Sequence, residues 1–173
     1  SFAEALRKAG CAFIMECKKA SPSQGLLREG YDATSVASEY ADVANAISVL
    51  TDEPFFQGSF DDLAAVRATV EQPVLCKDFV VDPYQVYEAR WHGADAVLLM
   101  LSVLELETLR ECQKTAWSLG MDALIEVHDD AELERALDVE PRIIGVNKRD
   151  LRSLGIDLAV TERLAPKIPA QIL

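Results

Sequence analysis

Six short apolar runs, each followed by a segment of helical pattern, set the strongest limit on what this chain can fold into. The runs are Ala12–Cys17, Ala46–Leu50, Val74–Cys76, Ala94–Leu99, Ala123–Val127 and Ile143–Val146, and a seventh begins at Gln171–Leu173. Their starts lie roughly 20–35 residues apart, the length of a strand–helix unit. Each run is apolar on both faces, as parallel strands covered by helices must be. The intervening segments predict helices over Ala33–Val43 behind Asp32, Phe60–Val70 behind Ser59, and Pro83–His92, which stops at Gly93. Further helices are expected over Leu104–Leu119, Asp130–Leu137 and Leu158–Ala165. The Asp and Ser residues are good N-caps, and Pro at a helix start with Gly past its end is the favoured asymmetry.

Such alternation implies a parallel sheet, either open or closed into a barrel. The strand ends separate the two. Glu16 and Lys18, Lys77, Glu126 and Asn147 each follow an apolar run, and Thr51 ends another. Side chains alternate along a strand, so Ile14, Glu16 and Lys18 share a face. Leu75 shares one with Lys77, Leu124 with Glu126, and Gly145 with Asn147. If that face is the inner one, five polar groups converge at the carboxyl ends of four strands, where (β/α)8 barrels keep their chemistry. An open sheet would spread them along a line. The expected fold is therefore an α/β, (β/α)8 TIM barrel, carried as a single domain over residues 1–173. A full barrel usually needs about 250 residues. At 173 residues this domain is expected to be incomplete, with about six βα units and the start of a seventh strand.

A net charge of −12 argues against a nucleic-acid partner, which calls for a basic face. No apolar stretch approaches the roughly 20 residues of a membrane span, and no signal peptide is evident. Cys11, Cys17, Cys76 and Cys112 form no C-x-x-C pair, and His92 and His128 stand at no ligand spacing from them. They read as reduced thiols of a cytoplasmic protein rather than metal ligands. No motif implies a metal or a cofactor. Trp91 and Trp117 are expected to pack between helix and barrel, and His128 to face solvent from a loop.

The first strand reads Phe13-Ile14-Met15-Glu16-Cys17-Lys18-Lys19-Ala20-Ser21-Pro22-Ser23. A charged E-x-K pair closing an apolar strand is costly unless paired or used. On spacing alone it fits a structural ion pair followed by a Ser-Pro-Ser loop equally well. The segment closely resembles the signature of indole-3-glycerol-phosphate synthases, apolar-apolar-x-E-x-K-basic-x-S-P-S. The resemblance continues through Ser48–Glu53 with Phe55-Phe56-Gln57-Gly58-Ser59, and through Leu75-Cys76-Lys77-Asp78-Phe79 with Asp82-Pro83-Tyr84-Gln85. It extends through Ala94–Leu99 and Leu124–Val127 to Gly145-Val146-Asn147-Lys148-Arg149-Asp150-Leu151, where the family reads G-[IV]-N-x-R-D-L.

The resemblance implies ring closure, decarboxylation and dehydration of 1-(2-carboxyphenylamino)-1-deoxyribulose 5-phosphate to indole-3-glycerol phosphate, CO2 and water, in tryptophan biosynthesis. The partner is thus a small anionic phosphosugar–anthranilate. The implied roles follow the chemistry. Lys77 stabilises the developing alkoxide and serves as acid, and Glu126 is the base in the dehydration. Lys18 holds the anthranilate carboxylate in near-attack geometry, and Glu16 orients Lys18 or relays a proton. Asn147 holds a hydroxyl or Glu126, and Arg149 meets an anion. Ser21 and Ser23 position the substrate, and Phe56 and Phe79 stack on its ring.

The match starts just before the family's first strand and stops within its seventh. The family's Ser-Glu-Ser-Gly segment and Gly-rich turn, which cradle phosphate, are not in it. Proteins of this type are often fused to a phosphoribosylanthranilate isomerase barrel, so a fused isomerase or a complementary barrel fragment is the protein partner to expect. The truncation leaves Ile14 and Ile143 on sheet edges without packing partners. The expectation is part of a longer polypeptide or an edge-paired oligomer, inactive as a lone monomer. Two rivals stand beside the synthase: another phosphate-handling barrel enzyme, and an inactive fragment that serves only as an assembly module.

Overall fold

The computed structural model describes residues 1–7, 10–149, 155 and 157–173. Its strands are β1 (Ile14–Cys17), β2 (Ala20–Ser21), β3 (Gly25–Leu26), β4 (Ala46–Leu50), β5 (Val74–Lys77), β6 (Ala96–Met100), β7 (Asp122–Val127) and β8 (Ile143–Val146). Its α-helices are α1 (Phe2–Leu6), α2 (Ala33–Tyr40), α3 (Glu53–Phe56), α4 (Phe60–Thr69), α5 (Pro83–Trp91), α6 (Leu106–Ser118), α7 (Asp130–Leu137) and α8 (Ala159–Leu164), and a 3-10 turn follows at Ala165–Lys167. Six strands form one parallel sheet in the order β1-β4-β5-β6-β7-β8. Each strand of the sheet lies beside the one before it in sequence. A doubly wound sheet reverses direction at a switch point; this one never does, which is how a (β/α)8 barrel is wound. The sheet is a curled half-barrel.

The expected helices form where their caps predict. Asp32 accepts from the Ser35 N–H at 2.6 Å, Ser59 from Asp62 at 3.0 Å and Asp129 from Glu132 at 2.8 Å. Asp82 makes a capping box with Gln85 ahead of Pro83. Boundaries shift by up to a few residues: α2 ends at Tyr40 rather than Val43, and α6 begins at Leu106 rather than Leu104, without a side-chain cap.

Two apolar layers result. Met15, Cys17, Ile47, Val49, Cys76, Val97, Leu99, Ile125 and Val127 meet the helices. Ala46, Leu75, Ala96, Leu98, Met100 and Ile143 point the other way, into a separate inner core closed by Phe2 of α1. The Ala3 N–H donates to Asp122 Oδ2 at 2.8 Å and ties α1 to the start of β7. The backbone at Leu173 donates to Arg142 O at 3.0 Å and accepts from the Ile144 N–H at 2.9 Å. That is the bonding of a parallel pair, so the expected seventh strand begins beside β8.

Some expectations need correction. Ile14 is 38% exposed as foreseen, but Ile143 is only 2% exposed, because Leu173 packs against it. Trp91 is 87% exposed, lying on the solvent side of α5. Trp117 is partly buried and carries the Arg142 guanidinium over its ring at 4.5 Å. Cys17, Cys76 and Cys112 are buried free thiols, whereas Cys11 is exposed. The Ser-Pro-Ser loop is the turn of the β2–β3 hairpin. The helices α1 and α3 had no counterpart in the sequence reading.

Candidate functional site

The inner face of β1 ends in Glu16, with Lys18 beyond it. Glu16 lies beside Ser48 of β4 in the register, and β4 in turn pairs Leu50 with Lys77 of β5. This stagger lets Lys77 reach across β4. Its ammonium donates to Glu16 Oε2, while Lys18 Nζ lies 2.6 Å from Glu16 Oε1. All three side chains are half-buried. Burial opposes ionisation of Glu16, but the Lys77 and Lys18 ammonium groups outweigh it and hold the carboxyl below the usual carboxylate range. Two ammonium groups thus share one carboxylate, leaving a net positive centre in an acidic protein. Such a centre suits an anionic ligand.

A second group stands on β7 and β8. Glu126 Oε1 accepts from Asn147 Nδ2 at 3.1 Å. Asn147 Oδ1 in turn accepts the Arg149 backbone N–H at 2.9 Å, which fixes the amide orientation. Arg149 itself is exposed, and Asp150 and Leu151 of the same motif lie outside the described residues. Lys77 and Glu126 are not in contact. Each has its own partners, so a ligand between them would meet a cation on one side and a carboxylate on the other.

An aromatic wall adjoins this mouth. Phe79 meets Phe55 edge-on at 6.0 Å and Phe56 at 6.2 Å. Asp52 caps α3 through the Phe55 and Phe56 N–H groups at 2.8 and 3.1 Å. Gly58 lets this loop return against β4, since a Cβ there would sit 2.2 Å from Leu50 O. Thr51 donates to Asp78 Oδ2 at 2.6 Å and braces the neighbouring strand end. Ser21 is half-buried in β2 and Ser23 exposed in the hairpin turn, neither joined to the charged cluster.

One site neighbour escaped the sequence reading. His128 is not solvent-facing: its side chain is 11% exposed, with Nε2 3.5 Å from Glu126 Oε1 and Nδ1 3.0 Å from Glu132 Oε2. The signal was available. His128 stands two residues after Glu126, hence on the same side of the extended chain, and four before Glu132.

The whole chain, residues 1–173, matches the family model described as indole-3-glycerol phosphate synthase. It is 56% identical over 168 residues to the tryptophan biosynthesis protein TrpCF of Vibrio cholerae, covering 97% of this chain and 36% of that protein. It is 54% identical over 167 residues to the protein of the same name from Salmonella typhi, with coverage of 96% and 37%. The chain thus spans about a third of the length of the curated relatives it matches. Among solved structures, it resembles 2-keto-3-deoxy-6-phospho-gluconate aldolase from Zymomonas mobilis, with a TM-score of 0.65 at 14% identity over 99% of this chain and 72% of that one. It also resembles 3-keto-L-gulonate-6-phosphate decarboxylase from Vibrio cholerae, with a TM-score of 0.63 at 16% identity over 88% and 72%. At such identities the likeness concerns the fold alone.

Proposed function

Because the chain belongs to the indole-3-glycerol phosphate synthase family, we propose that residues 1–173 form one barrel domain that contributes the catalytic strand ends of this synthase in tryptophan biosynthesis. The observation that carries the proposal is the pairing of Lys18 and Lys77 through Glu16, on the same sheet face as Glu126 and Asn147.

The substrate is 1-(2-carboxyphenylamino)-1-deoxyribulose 5-phosphate. Lys18 takes the anthranilate carboxylate, and Phe56 and Phe79 line the ring. The ring carbon bearing that carboxylate attacks the ketone, and Lys77 stabilises the alkoxide as it forms. Glu16 keeps both ammonium groups aimed and separated. Loss of CO2 restores the aromatic ring. In the dehydration Glu126 removes a ring-side proton, that C–H electron pair becomes the new double bond, and the hydroxyl leaves as water with a proton from Lys77. Asn147 holds Glu126 in place. Ser21, Ser23 and Arg149 serve the substrate's anionic periphery.

The remaining length of the relatives leaves room for a fused isomerase domain as partner. Buried free thiols at Cys17, Cys76 and Cys112 suit a reducing compartment, and we assign the protein to the cytoplasm on that ground. No helix among the described residues is long and apolar enough to cross a membrane. The test is Lys77→Ala in the full-length protein, assayed for indole-3-glycerol phosphate. The expected loss in kcat exceeds about 10²-fold with the circular dichroism spectrum unchanged. Near-normal turnover would remove Lys77 from the chemistry and the proposal with it.

A further inference from the structure

We propose that His128 and Glu132 form a proton-holding pair behind Glu126, so that the base of the dehydration is a three-residue array rather than a lone carboxylate. The inference rests on the synthase reading and deepens it.

Glu132 sits in the first turn of α7 and accepts from both the backbone N–H of His128, at 2.8 Å, and its Nδ1, at 3.0 Å. These two bonds fix the ring and put a hydrogen on Nδ1. In the neutral imidazole Nε2 then carries a lone pair. Nε2 is buried without a hydrogen-bond partner, and it stands 3.5 Å from Glu126 Oε1. A lone pair facing an ionised carboxylate is a poor contact, because both groups accept and neither donates. The contact becomes favourable once one proton lies between them. It is therefore a place built to receive a proton, and Glu126 is the group that gains one.

The electron count is simple. The substrate C–H bond breaks toward Glu126, and its electron pair forms the ring double bond as water leaves. The new proton on Glu126 is then shared with Nε2. As charge grows on the imidazole, the Glu132 carboxylate balances it, as a buried carboxylate does for a catalytic histidine. The proton passes to water after product departs, and solvent reprotonates Lys77. His128 touches no substrate atom and acts through Glu126 as a positioning residue.

The test uses the full-length protein and four variants. His128→Asn keeps an amide donor for Glu132 but removes Nε2, and His128→Gly opens a space for added imidazole. Glu132→Gln keeps an acceptor for Nδ1 but removes its charge, and Glu126→Gln is the control. Expected are a fall in kcat of about 10-fold or more for H128N, H128G and E132Q, with KM unchanged. That loss is smaller than the roughly 10²–10⁴-fold of E126Q. Millimolar imidazole should restore kcat in H128G. Wild-type turnover in folded H128N, or an H128G defect that imidazole leaves untouched, would overturn the relay while leaving the synthase reading intact. An active E126Q would overturn both.

Discussion

Replacing Phe2 by alanine probes how far the inner core depends on α1. Phe2 is fully buried, and its inner-core neighbours Ala46 and Ala96 are too small to fill the space it occupies. Truncating a fully buried phenylalanine costs about 3–5 kcal/mol. A five-residue helix cannot persist by its own hydrogen bonds. Apart from Phe2, α1 is held by the Ala3–Asp122 bond, the Ser1–Glu4 capping box and the smaller contacts of Ala3 and Leu6. Loss of Phe2 should therefore release α1, leaving the Asp122 carboxylate without that donor and Leu98 and Met100 open to water. With a urea m-value of about 2 kcal/mol/M, the unfolding midpoint should fall by about 1.5–2.5 M. Phe2→Leu should recover most of it, because volume-conserving swaps cost under about 1.5 kcal/mol. Hydrogen exchange at the Ala3 amide should accelerate in step. A midpoint within about 0.3 M of wild type would show that α1 does not close the inner core, and would refute the reasoning.

Three further outcomes follow from the site and its frame. Glu16 has its folded pKa held down, so its stabilising contribution is complete above the unfolded carboxylate value of about 4.3 and fades as pH falls through the lower folded value; the stability gap between wild type and E16Q, measured by urea titration, should shrink on acidification across that window. Gly58→Ala should lower Tm and raise KM, because its Cβ would collide with the backbone of Leu50 and displace the Phe55–Phe56 loop; overpacking of this kind costs about 1–3 kcal/mol. A thiol reagent should label Cys11 quickly in the native protein but reach Cys17, Cys76 and Cys112 only in denaturant, since burial raises their thiols to about 12, 12 and 11.

Strand positions and helix caps were legible because they depend on local chemistry. Asp32, Ser59, Asp82 and Asp129 start their helices wherever the rest of the chain goes, and runs such as Ala46–Leu50 are apolar on both faces in any parallel sheet. The shared face of Glu16, Lys77 and Glu126 followed from alternation. What connects them did not. Lys77 reaches Glu16 across β4 because of inter-strand stagger, and stagger is a property of paired strands rather than of either sequence. Trp91 was misplaced because composition suggests a residue's usual habitat, whereas the turn of α5 decides which way its side chain points; His128 was misplaced although its spacing from Glu126 and Glu132 already put it beside both. The floor was invisible because Phe2 meets its partners only after the sheet has formed. Ser21 and Ser23 stand half-buried and exposed in the hairpin, apart from the charged cluster, and alternation along β1 does not reach them.

The strand order also dictates a sequence of events during synthesis. Every strand of the sheet pairs with its predecessor in the chain, so β1, β4, β5 and the rest can be added one at a time as they emerge from a ribosome, each onto an existing edge. The segment just ahead of β1 cannot follow that schedule. Ala3 finds Asp122 only 119 residues later in the chain, and Phe2 needs β6 and β8 around it. The helix that precedes β1 is therefore among the last of these elements to settle, and until β7 is made the inner core stands open beneath it. A pause in translation before that point would hold the nascent chain with an exposed phenylalanine and an unsealed apolar floor, which is the state a chaperone would recognise.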